Sequence, residues 1–188
     1  AKSLELDVSD HQSVVQAAEI LRSLELSPDI LVNNAGIFNL NRIEDISEEL
    51  FDNMIAVNLR GPFLMIRTFL PHMIDNSWGR VISISSTAGK TGEAFASHYC
   101  ASKRGLIALS NSASIEAAPN VTVNCICPGF VNTPMTQTES TFRSNLESGV
   151  SEEEVVEQIR QQIPLGRIGH PTDIANAIIW LSLDSSNY

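Results

Sequence analysis

Basic residues are scarce in this sequence of 188 residues. Twelve lysines and arginines stand against 22 aspartates and glutamates, which gives a formal net charge of −10 at pH 7. No cluster of lysine or arginine interrupts this balance, so most of the surface would repel the phosphate backbone of a nucleic acid. We therefore expect no nucleic-acid partner.

Long apolar runs are missing as well. No stretch approaches the ~20 apolar residues that a membrane-spanning helix needs. The first residues, AKSLELDVSD, have neither the basic start nor the apolar stretch of a secretory signal. We expect no membrane partner and a cytoplasmic location. At one domain per roughly 100–200 residues, the length predicts a single domain with a sizeable core.

Cysteine is rare, with three residues, Cys100, Cys125 and Cys127, and no C-x-x-C pair. An odd number without histidines at ligand spacing predicts neither a disulfide framework nor a metal site. We interpret all three as small, buried, apolar side chains. The histidines do not cluster either, and we predict that all of them are surface or helix-capping residues: His11, His72, His98 and His170.

Short β-like runs alternate with longer helical ones along the chain. The predicted strands cover residues 3–7, 30–33, 81–84 and 121–126. The predicted helices begin with one capped by Ser9 and continue with residues 51–74, 99–116 and 171–181. Strands separated by helices of ten or more residues need crossover connections. We therefore predict an α/β fold, with a doubly wound parallel sheet between two helical layers.

The region from Thr133 to Ile163 differs from the rest of the chain. It is polar and shows two short helical patterns that break near Gly149, the second with Ser151 and Glu154 in capping-box register. It follows the fourth predicted strand, and ligands of doubly wound sheets bind beyond the carboxyl ends of the strands. We predict that residues 133–163 are an excursion that covers the substrate site.

The motif with the most chemical information is Tyr99-Cys100-Ala101-Ser102-Lys103. Residues four apart share one face of a helix. The Lys103 ammonium is therefore predicted to lie near the Tyr99 phenol and to lower its pKa from the unperturbed value of about 10. A tyrosine with such a pKa can exchange a proton near neutral pH. The alternative is an ordinary pair on a surface helix.

A serine follows the third predicted strand, thirteen residues before Tyr99. Ser86 would lie at the carboxyl end of the sheet, where a hydroxyl can bond a substrate oxygen. Its neighbour Ser85 is a rival, but only one of the two can face the site because a strand alternates direction. An ordinary turn at Ser86 is the alternative.

Asparagines mark two further places. The run NNAG at residues 33–36 ends the second predicted strand, where a glycine lets the backbone bend and a ligand approach. Asn58 lies in the next helix, just before Gly61 and Pro62. Asparagine is unfavourable inside a helix unless its amide has a task.

Together, the NNAG run, Asn58, Ser86 and the pair Tyr99-x-x-x-Lys103 resemble the short-chain dehydrogenase/reductase family in order and spacing. The similarity continues through PGFVNT at 128–133 and covers nearly the whole chain. The motifs are most similar to the 3-oxoacyl-acyl-carrier-protein reductase-like branch. The resemblance implies a Rossmann-like fold, a homo-oligomer (dimer or homotetramer), and hydride transfer between NAD or NADP and a carbonyl or secondary alcohol of a small molecule.

The resemblance also implies roles for single residues. Tyr99 would exchange the proton and Ser86 would hold the carbonyl oxygen. Lys103 would hold the nicotinamide ribose hydroxyls, and the backbone carbonyl of Asn58 would anchor a water that links Lys103 to solvent. Besides Tyr99 and Lys103, the implied cofactor-binding residues are Asp7 and Val8 at the adenine, Asn33, Ala35 and Gly36 along the adenosine ribose, and Pro128, Gly129, Val131 and Thr133 at the nicotinamide. Taken alone, Asp7 also fits a helix-start acid and Thr133 a loop residue.

The sequence departs from the family at both ends. The family's first strand, glycine-rich turn and helix bring backbone N–H groups to the pyrophosphate, and they have no counterpart here. We expect residues 1–188 to be a partial NAD(P)-binding domain without the first two strands and the last one. Residues 3–7 would then lack a neighbouring strand. We expect a chain of only these residues to fold poorly and to bind NAD(P) weakly, and a cooperative melt with micromolar cofactor affinity would contradict this.

Two classes of function remain open. The first is an NAD(P)-dependent oxidoreductase, either a 3-oxoacyl-thioester reductase or a dehydrogenase of small alcohols, ketones or sugars. The second is a non-catalytic fragment that retains only the oligomerisation surface of the two long helices. The side chains predicted to be exposed there are Phe63, Met65, Phe69, Ala108 and Ala113.

Overall fold

The computed structural model describes residues 3–146 and 149–187. At its centre is a parallel sheet in the order β1 (Ile30–Asn33), β2 (Gly79–Ile84) and β3 (Val121–Ile126). The register places Val81 beside both Leu31 and Val123. These three predicted strands are confirmed, with β2 beginning two residues earlier than expected.

Residues 3–7 form no strand, and this prediction is wrong. A strand is stable only where a neighbour satisfies its N–H and C=O groups, and no described strand lies beside this segment, as the strand order led us to expect. Asp7 instead leads into helix α1 (His11–Ser23), because its N–H donates to Ser13 Oγ over 2.9 Å.

The N-cap of α1 is Asp10 and not Ser9 as predicted. The Asp10 carboxylate accepts a hydrogen bond from the N–H of Gln12 at 3.0 Å. The hydroxyl of Ser9 is engaged elsewhere, donating to Asp7 Oδ1 at 2.7 Å. Both residues are good caps, so the local contacts of the folded chain decide between them.

The long helix predicted over residues 51–74 is divided into α2 (Glu48–Ile55), a π-helical turn (Ala56–Arg60) and α3 (Gly61–Asp75). Pro62 has no N–H, so the Asn58 carbonyl, four residues earlier, cannot receive its α-helical bond. The N–H of Gly61 bonds to the carbonyl of Ala56, five residues back. The wider turn therefore ends where the sequence predicted an interruption, and it contains Asn58.

The remaining helices are α4 (Ser97–Ala117), α5 (Pro134–Leu146), α6 (Glu152–Gln162) and α7 (Pro171–Ser182). The break between α5 and α6 includes Gly149 at φ 93°, a left-handed conformation that glycine adopts without strain. None of the described helices is long and apolar enough to cross a membrane.

The core lies between the sheet and helices α3 and α4. The buried side chains there are Leu31, Ile66, Phe69, Leu70, Met73, Val81, Ala113, Ala117, Val121 and Val123. Arg80 points to the opposite face of β2, where it bonds Asn187 Oδ1, beyond α7, at 2.7 Å. Helices therefore cover both faces, and the predicted α/β/α layering is confirmed.

This packing corrects two of the predicted surface positions. Phe69 and Ala113 are buried in the core, with 8% and 6% of their surface exposed. Met65 is partly buried against the same core. Phe63 and Ala108 are exposed as predicted. Helical periodicity shows which residues share a face, but not which face meets the sheet.

Candidate active site

The segments that follow the three strands meet at one edge of the sheet. Thr87, one residue beyond Ser86, donates its N–H to the carbonyl of Pro128 at 2.9 Å. Asn33, at the end of β1, is buried and donates from Nδ2 to Ser83 Oγ at 3.3 Å. The carboxyl ends of the strands thus bring together the polar residues that the sequence placed there.

Ser85 and Ser86 have different partners, and of the two hydroxyls only that of Ser86 is shown acting on Tyr99. Ser85 is buried, and its hydroxyl donates to the backbone carbonyl of Lys103 at 2.9 Å. Ser86 begins a short 3₁₀ turn, where its Oγ accepts the N–H of Ala88 at 3.1 Å. The Ser86 side chain also lies close enough to the Tyr99 phenol to act on its pKa. The two hydroxyls therefore lie at one point of the strand edge.

Helix α4 carries both Tyr99 and Lys103 toward this edge. Lys103 Nζ lies 5.7 Å from the centre of the Tyr99 ring. The ammonium is buried and donates a hydrogen bond to the Ile84 carbonyl, the last of β2, at 2.9 Å. The predicted side-by-side placement of the two residues is confirmed.

The predicted lowering of the Tyr99 pKa is wrong. Burial raises the pKa of Tyr99 above its usual value, and the nearby acids Glu93 and Glu139 raise it further, while the hydrogen bond from Ser86 acts in the opposite direction. Burial also lowers the pKa of Lys103 to about 8, because the ammonium loses its hydration. Spacing alone showed that the pair is close, but not that both charged forms are desolvated.

Asn58 uses its side-chain amide to hold Ile37, the residue that follows the NNAG run. It is fully buried. Its Oδ1 accepts from the N–H of Ile37, and its Nδ2 donates to the carbonyl of the same residue, both at 2.9 Å. Nδ2 also lies 3.2 Å from Ser102 Oγ in α4. The amide therefore ties the π-helical turn to both the β1 loop and the helix of Tyr99.

Gly36 leaves room between the catalytic candidates. A Cβ at this position would lie 3.3 Å from Asn58 Oδ1 and 3.4 Å from Lys103 Nζ. These distances are tight for a carbon beside polar atoms. Ala35, the preceding residue, is exposed. The backbone at 35–36 is therefore accessible beside the Lys103 ammonium.

Asp7 and Val8 lie at the start of α1. Val8 packs so closely on the start of α3 that a Cβ at Gly61 would come within 2.9 Å of Val8 Cγ2. Asp7 is exposed, and its hydrogen bonds to the side chain and backbone of Ser9 lower the pKa of its carboxyl. The contacts of Asp7 are thus those of a helix-start acid, the alternative left open by the sequence.

The PGFVNT segment borders the same edge. Gly129 is exposed and has open space where a Cβ would lie. Val131 forms an isolated parallel bridge with Gly169. The carbonyl of Val131 accepts hydrogen bonds from the hydroxyls of Thr133, at 3.3 Å, and Thr136. Thr133 therefore marks the entrance to α5.

His98 is the histidine for which the surface prediction is wrong. It is fully buried, and its Nε2 bonds to Asn39 Oδ1. Burial lowers the pKa of His98 because the imidazolium would lose its hydration. His170 caps α7 as predicted. In the sequence, the only feature that set His98 apart from the other histidines was that it directly precedes Tyr99.

Three phenylalanines also pack near the site, and the sequence analysis assigned none of them to it. The ring of Phe38 lies edge-on against Tyr99, with centroids 4.8 Å apart. Phe95 adopts φ 66°, uncommon for a bulky residue, and packs on Phe142 of α5 at 5.5 Å. Phe38 comes two residues after the NNAG run, which is the one signal that could have found it.

Among the described residues, neither the cysteines nor the potential metal ligands form a further reactive or metal-binding site. Cys100, Cys125 and Cys127 are free and only half-buried, which is less burial than predicted. Within residues 3–146 and 149–187, no group of three histidine, cysteine, aspartate or glutamate side chains could hold a metal ion.

The residues at the strand edge fit a dinucleotide. A buried ammonium has three donors, and the described bond to Ile84 uses one of them. The others match ribose hydroxyls, and the open backbone at Ala35 and Gly129 allows close approach of a flat ligand.

Comparisons with known proteins agree with this geometry. A family model described as short chain dehydrogenase matches residues 1–144. A curated relative, a 3-oxoacyl-[acyl-carrier-protein] reductase of Aquifex aeolicus, is 36% identical over 100% of this chain and 71% of its own length. Another with the same description, from Rickettsia felis, is 39% identical over 85% of this chain and 62% of its own length.

Solved structures show the same fold. NAD⁺-bound xylitol dehydrogenase has a TM-score of 0.90 and 27% identity, covering 99% of this chain and 74% of that one. Actinorhodin polyketide ketoreductase with NADPH has a TM-score of 0.91 and 30% identity, covering 97% and 70%. The predicted Rossmann-like fold is therefore confirmed.

Proposed function

The chain belongs to the short-chain dehydrogenase family of NAD(P)-dependent oxidoreductases, and on this premise we propose that it reduces a small carbonyl compound, with a 3-oxoacyl thioester as the leading substrate class. The observation that carries the proposal is the placement of the Ser86 and Lys103 side chains beside Tyr99. The substrate class is supported by the similarity to two 3-oxoacyl reductases.

Tyr99 and Ser86 manage the substrate oxygen. In reduction, Tyr99 gives its proton to the carbonyl oxygen as the carbon gains a hydride, and Ser86 stabilises the charge that develops on that oxygen. Because burial raises the Tyr99 pKa, the phenol is protonated and ready to donate. In oxidation, the same group accepts the alcohol proton.

Lys103 and Asn58 return the proton to Tyr99. A Lys103 pKa of about 8 lets the amine gain and lose a proton near neutral pH. The Asn58 carbonyl, which Pro62 cannot bond, is free of its α-helical donor and suited to hold a water between Lys103 and solvent.

NAD or NADP supplies or accepts the hydride when it is bound. Lys103 and Tyr99 would hold its nicotinamide ribose, with Gly36 leaving space beside them. The other residues proposed to contact it are Asp7, Val8, Asn33, Ala35, Pro128, Gly129, Val131 and Thr133.

The 133–163 excursion is proposed to cover the substrate. Its helix α5 contacts the loop before Tyr99 through Phe142 and Phe95, and Glu139 of α5 is buried and acts on the Tyr99 pKa. A cover of this kind excludes water from the reacting atoms. Residues 1–188 would thus form one cofactor-binding domain with its own cover.

A dehydrogenase of small alcohols, ketones or sugars is the second candidate. It is favoured by the polar excursion and by the fold similarity to xylitol dehydrogenase. The homotetramer and the cytoplasmic location remain predictions. For the former, Phe63 on α3 is 43% exposed and Ile115 on α4 is 80% exposed, as expected of helices that pair with a second copy.

The test is a substrate panel on the complete gene product. NADH or NADPH absorbance is followed with an acetoacetyl thioester, a simple ketone and a pentulose, and the reverse reaction with xylitol. The thioester should give the highest kcat/KM. A preference for the sugar pair would select the second candidate, and no turnover with any of them would favour the non-catalytic alternative.

Tyr99→Phe removes the proton donor while retaining the ring. We expect kcat to fall by about 10³-fold, because the phenol acts on the substrate oxygen. The Kd of NAD(P)H should change by less than about threefold, because Lys103 still holds the nicotinamide ribose. Substantial remaining turnover would remove Tyr99 from its proposed role.

A further inference from the structure

Helix α4 begins without a capping side chain, although it carries Tyr99 in its first turn. Its N-cap is Ala96, which makes no side-chain capping bond, and the first turn has no acidic residue. The first N–H groups of a helix have no partner within it, and such an end frays unless other contacts hold it. The direction of the Tyr99 phenol therefore depends on tertiary contacts.

Those contacts come from residues 37–41, which we call the clamp segment. Phe38 packs edge-on against Tyr99. Asn39 Oδ1 bonds His98 Nε2, and the N–H of Asn41 donates to the carbonyl of Phe95 at 2.8 Å, just before the helix. The clamp segment thus contacts the start of α4 at three successive points.

The clamp segment is itself anchored. The two hydrogen bonds between Ile37 and the Asn58 amide fix its first residue to the π-helical turn. A continuous path of hydrogen bonds and backbone therefore runs from Asn58 through Asn39 to His98. The proposed proton path runs from Tyr99 through Lys103 to Asn58. This second path connects Asn58 to the neighbour of Tyr99 without passing through Lys103.

The hydrogen bonding of His98 shows what its ring contributes. The Asn39 oxygen can only accept, so Nε2 carries the proton. Nδ1 is then a bare acceptor, and it finds no partner among the described residues. Burying an unsatisfied nitrogen costs free energy, which an apolar side chain of similar size would avoid. The contribution of His98 to this position is therefore its bond to Asn39.

We propose that His98 is a positioning residue: through Asn39 it fixes the first turn of α4 and directs the Tyr99 phenol toward Ser86. This inference rests on the proposed function, since a fixed phenol matters only for proton transfer. Misplacement by about 1 Å can cost about 100-fold in rate.

The test compares four single variants of the complete gene product and one double variant, His98→Ala with Asn39→Ala. His98→Ala and Asn39→Ala each remove the bond, whereas His98→Gln retains an N–H donor near the place of Nε2. His72→Ala is the matched control, because His72 pairs with Asn76 at 2.8 Å on the exposed side of α3. The measurements are kcat, the Kd of NAD(P)H, and amide exchange of residues 97–100.

We expect kcat to fall about 10–100-fold in the two bond-removing variants, with the Kd of NAD(P)H unchanged within about threefold. His98→Gln should recover most of the loss, and His98→Ala combined with Asn39→Ala should be no worse than either alone. Amide exchange at 97–100 should quicken in the same variants. His72→Ala should match the unmodified protein in all three measurements.

Full kcat in His98→Ala, or a loss that His98→Gln does not recover, would overturn the inference. Amide exchange keeps this result separate from the proposed function. If the unmodified protein turns over no substrate, faster exchange at 97–100 still supports the clamp, and unchanged exchange refutes it.

Discussion

Helices α4 and α6 begin in two opposite ways. The hydroxyl of Ser151 accepts the N–H of Glu154 at 3.2 Å, and the Glu154 carboxylate accepts the N–H of Ser151 at 2.8 Å, which is a complete capping box for α6. Helix α4 has no capping side chain and is held by the clamp segment from the β1 loop. Its first turn contains Tyr99, whereas that of α6 contains three glutamates.

The difference shows how the molecule stabilises its site. A capping box is a local contact, and its removal affects one helix end. The start of α4 is held by side chains from distant segments, so a disturbance there spreads into the sheet edge. Of these two helix starts, the one proposed to carry the chemistry is therefore the one that depends more on the whole fold.

The largest effect on the comparison between α4 and α6 is expected from Gly89→Ala, which disturbs the packing of α4. A Cβ at Gly89 would lie 2.9 Å from the Lys103 carbonyl carbon and 3.1 Å from the Arg104 nitrogen. Backbone of α4 cannot move aside cheaply, so we expect the free energy of unfolding to fall by about 2–3 kcal/mol, measured by denaturant titration. Gly92→Ala is the control, because a Cβ there meets nothing within 4 Å. Equal effects of both variants would show that α4 is not packed this tightly on the Ser86 turn.

A smaller effect should appear in the pH dependence of stability. Burial lowers the pKa of Lys103 from 10.5 to about 8. Between these values the unfolded chain binds more protons than the folded one, so this group makes stability rise with pH. From pH 7.5 to 9.0 we expect a contribution of about 1 kcal/mol.

The measurement is the difference in the free energy of unfolding between the unmodified protein and Lys103→Met at both pH values. Taking the difference cancels the titration of Cys100 and Cys125, whose thiol pKa values burial raises. Lys90→Met, at an exposed lysine, should retain the full rise. A rise that survives in Lys103→Met would show that the ammonium is not desolvated.

The smallest effect is expected at α6. Ser151→Ala removes the cap and should lower the free energy of unfolding by about 0.5–1 kcal/mol, with faster amide exchange confined to residues 152–156. Ser151→Asp retains an acceptor and should restore slow exchange. Faster exchange reaching α4 would contradict the local character of this helix start.

The elements predicted well from sequence are those with local signals. Periodicity located β1 and β3 to the residue, and Ser151 with Glu154 located the start of α6. The spacing of thirteen residues from Tyr99 selected Ser86 over Ser85, and the two have different partners just beyond β2.

Elements that depend on partners were predicted less well. Residues 3–7 have a strand-like sequence but no neighbouring strand. Phe69 and Ala113 lie on helices whose buried face is chosen by the sheet. His98 turns inward because Asn39, 59 residues earlier in the chain, meets it there. None of these partners is visible from the local pattern.

The sequence by itself determined the order in which the candidate site residues follow the strands, since periodicity and spacing act over a few residues, and its resemblance to a family suggested their roles. Only the tertiary structure decided the pKa values of these residues and the contacts that hold them in place. Spacing placed Lys103 beside Tyr99, but burial raised the pKa of one and lowered that of the other. Desolvation depends on every segment packed around a group, and so it exists only once the chain has folded.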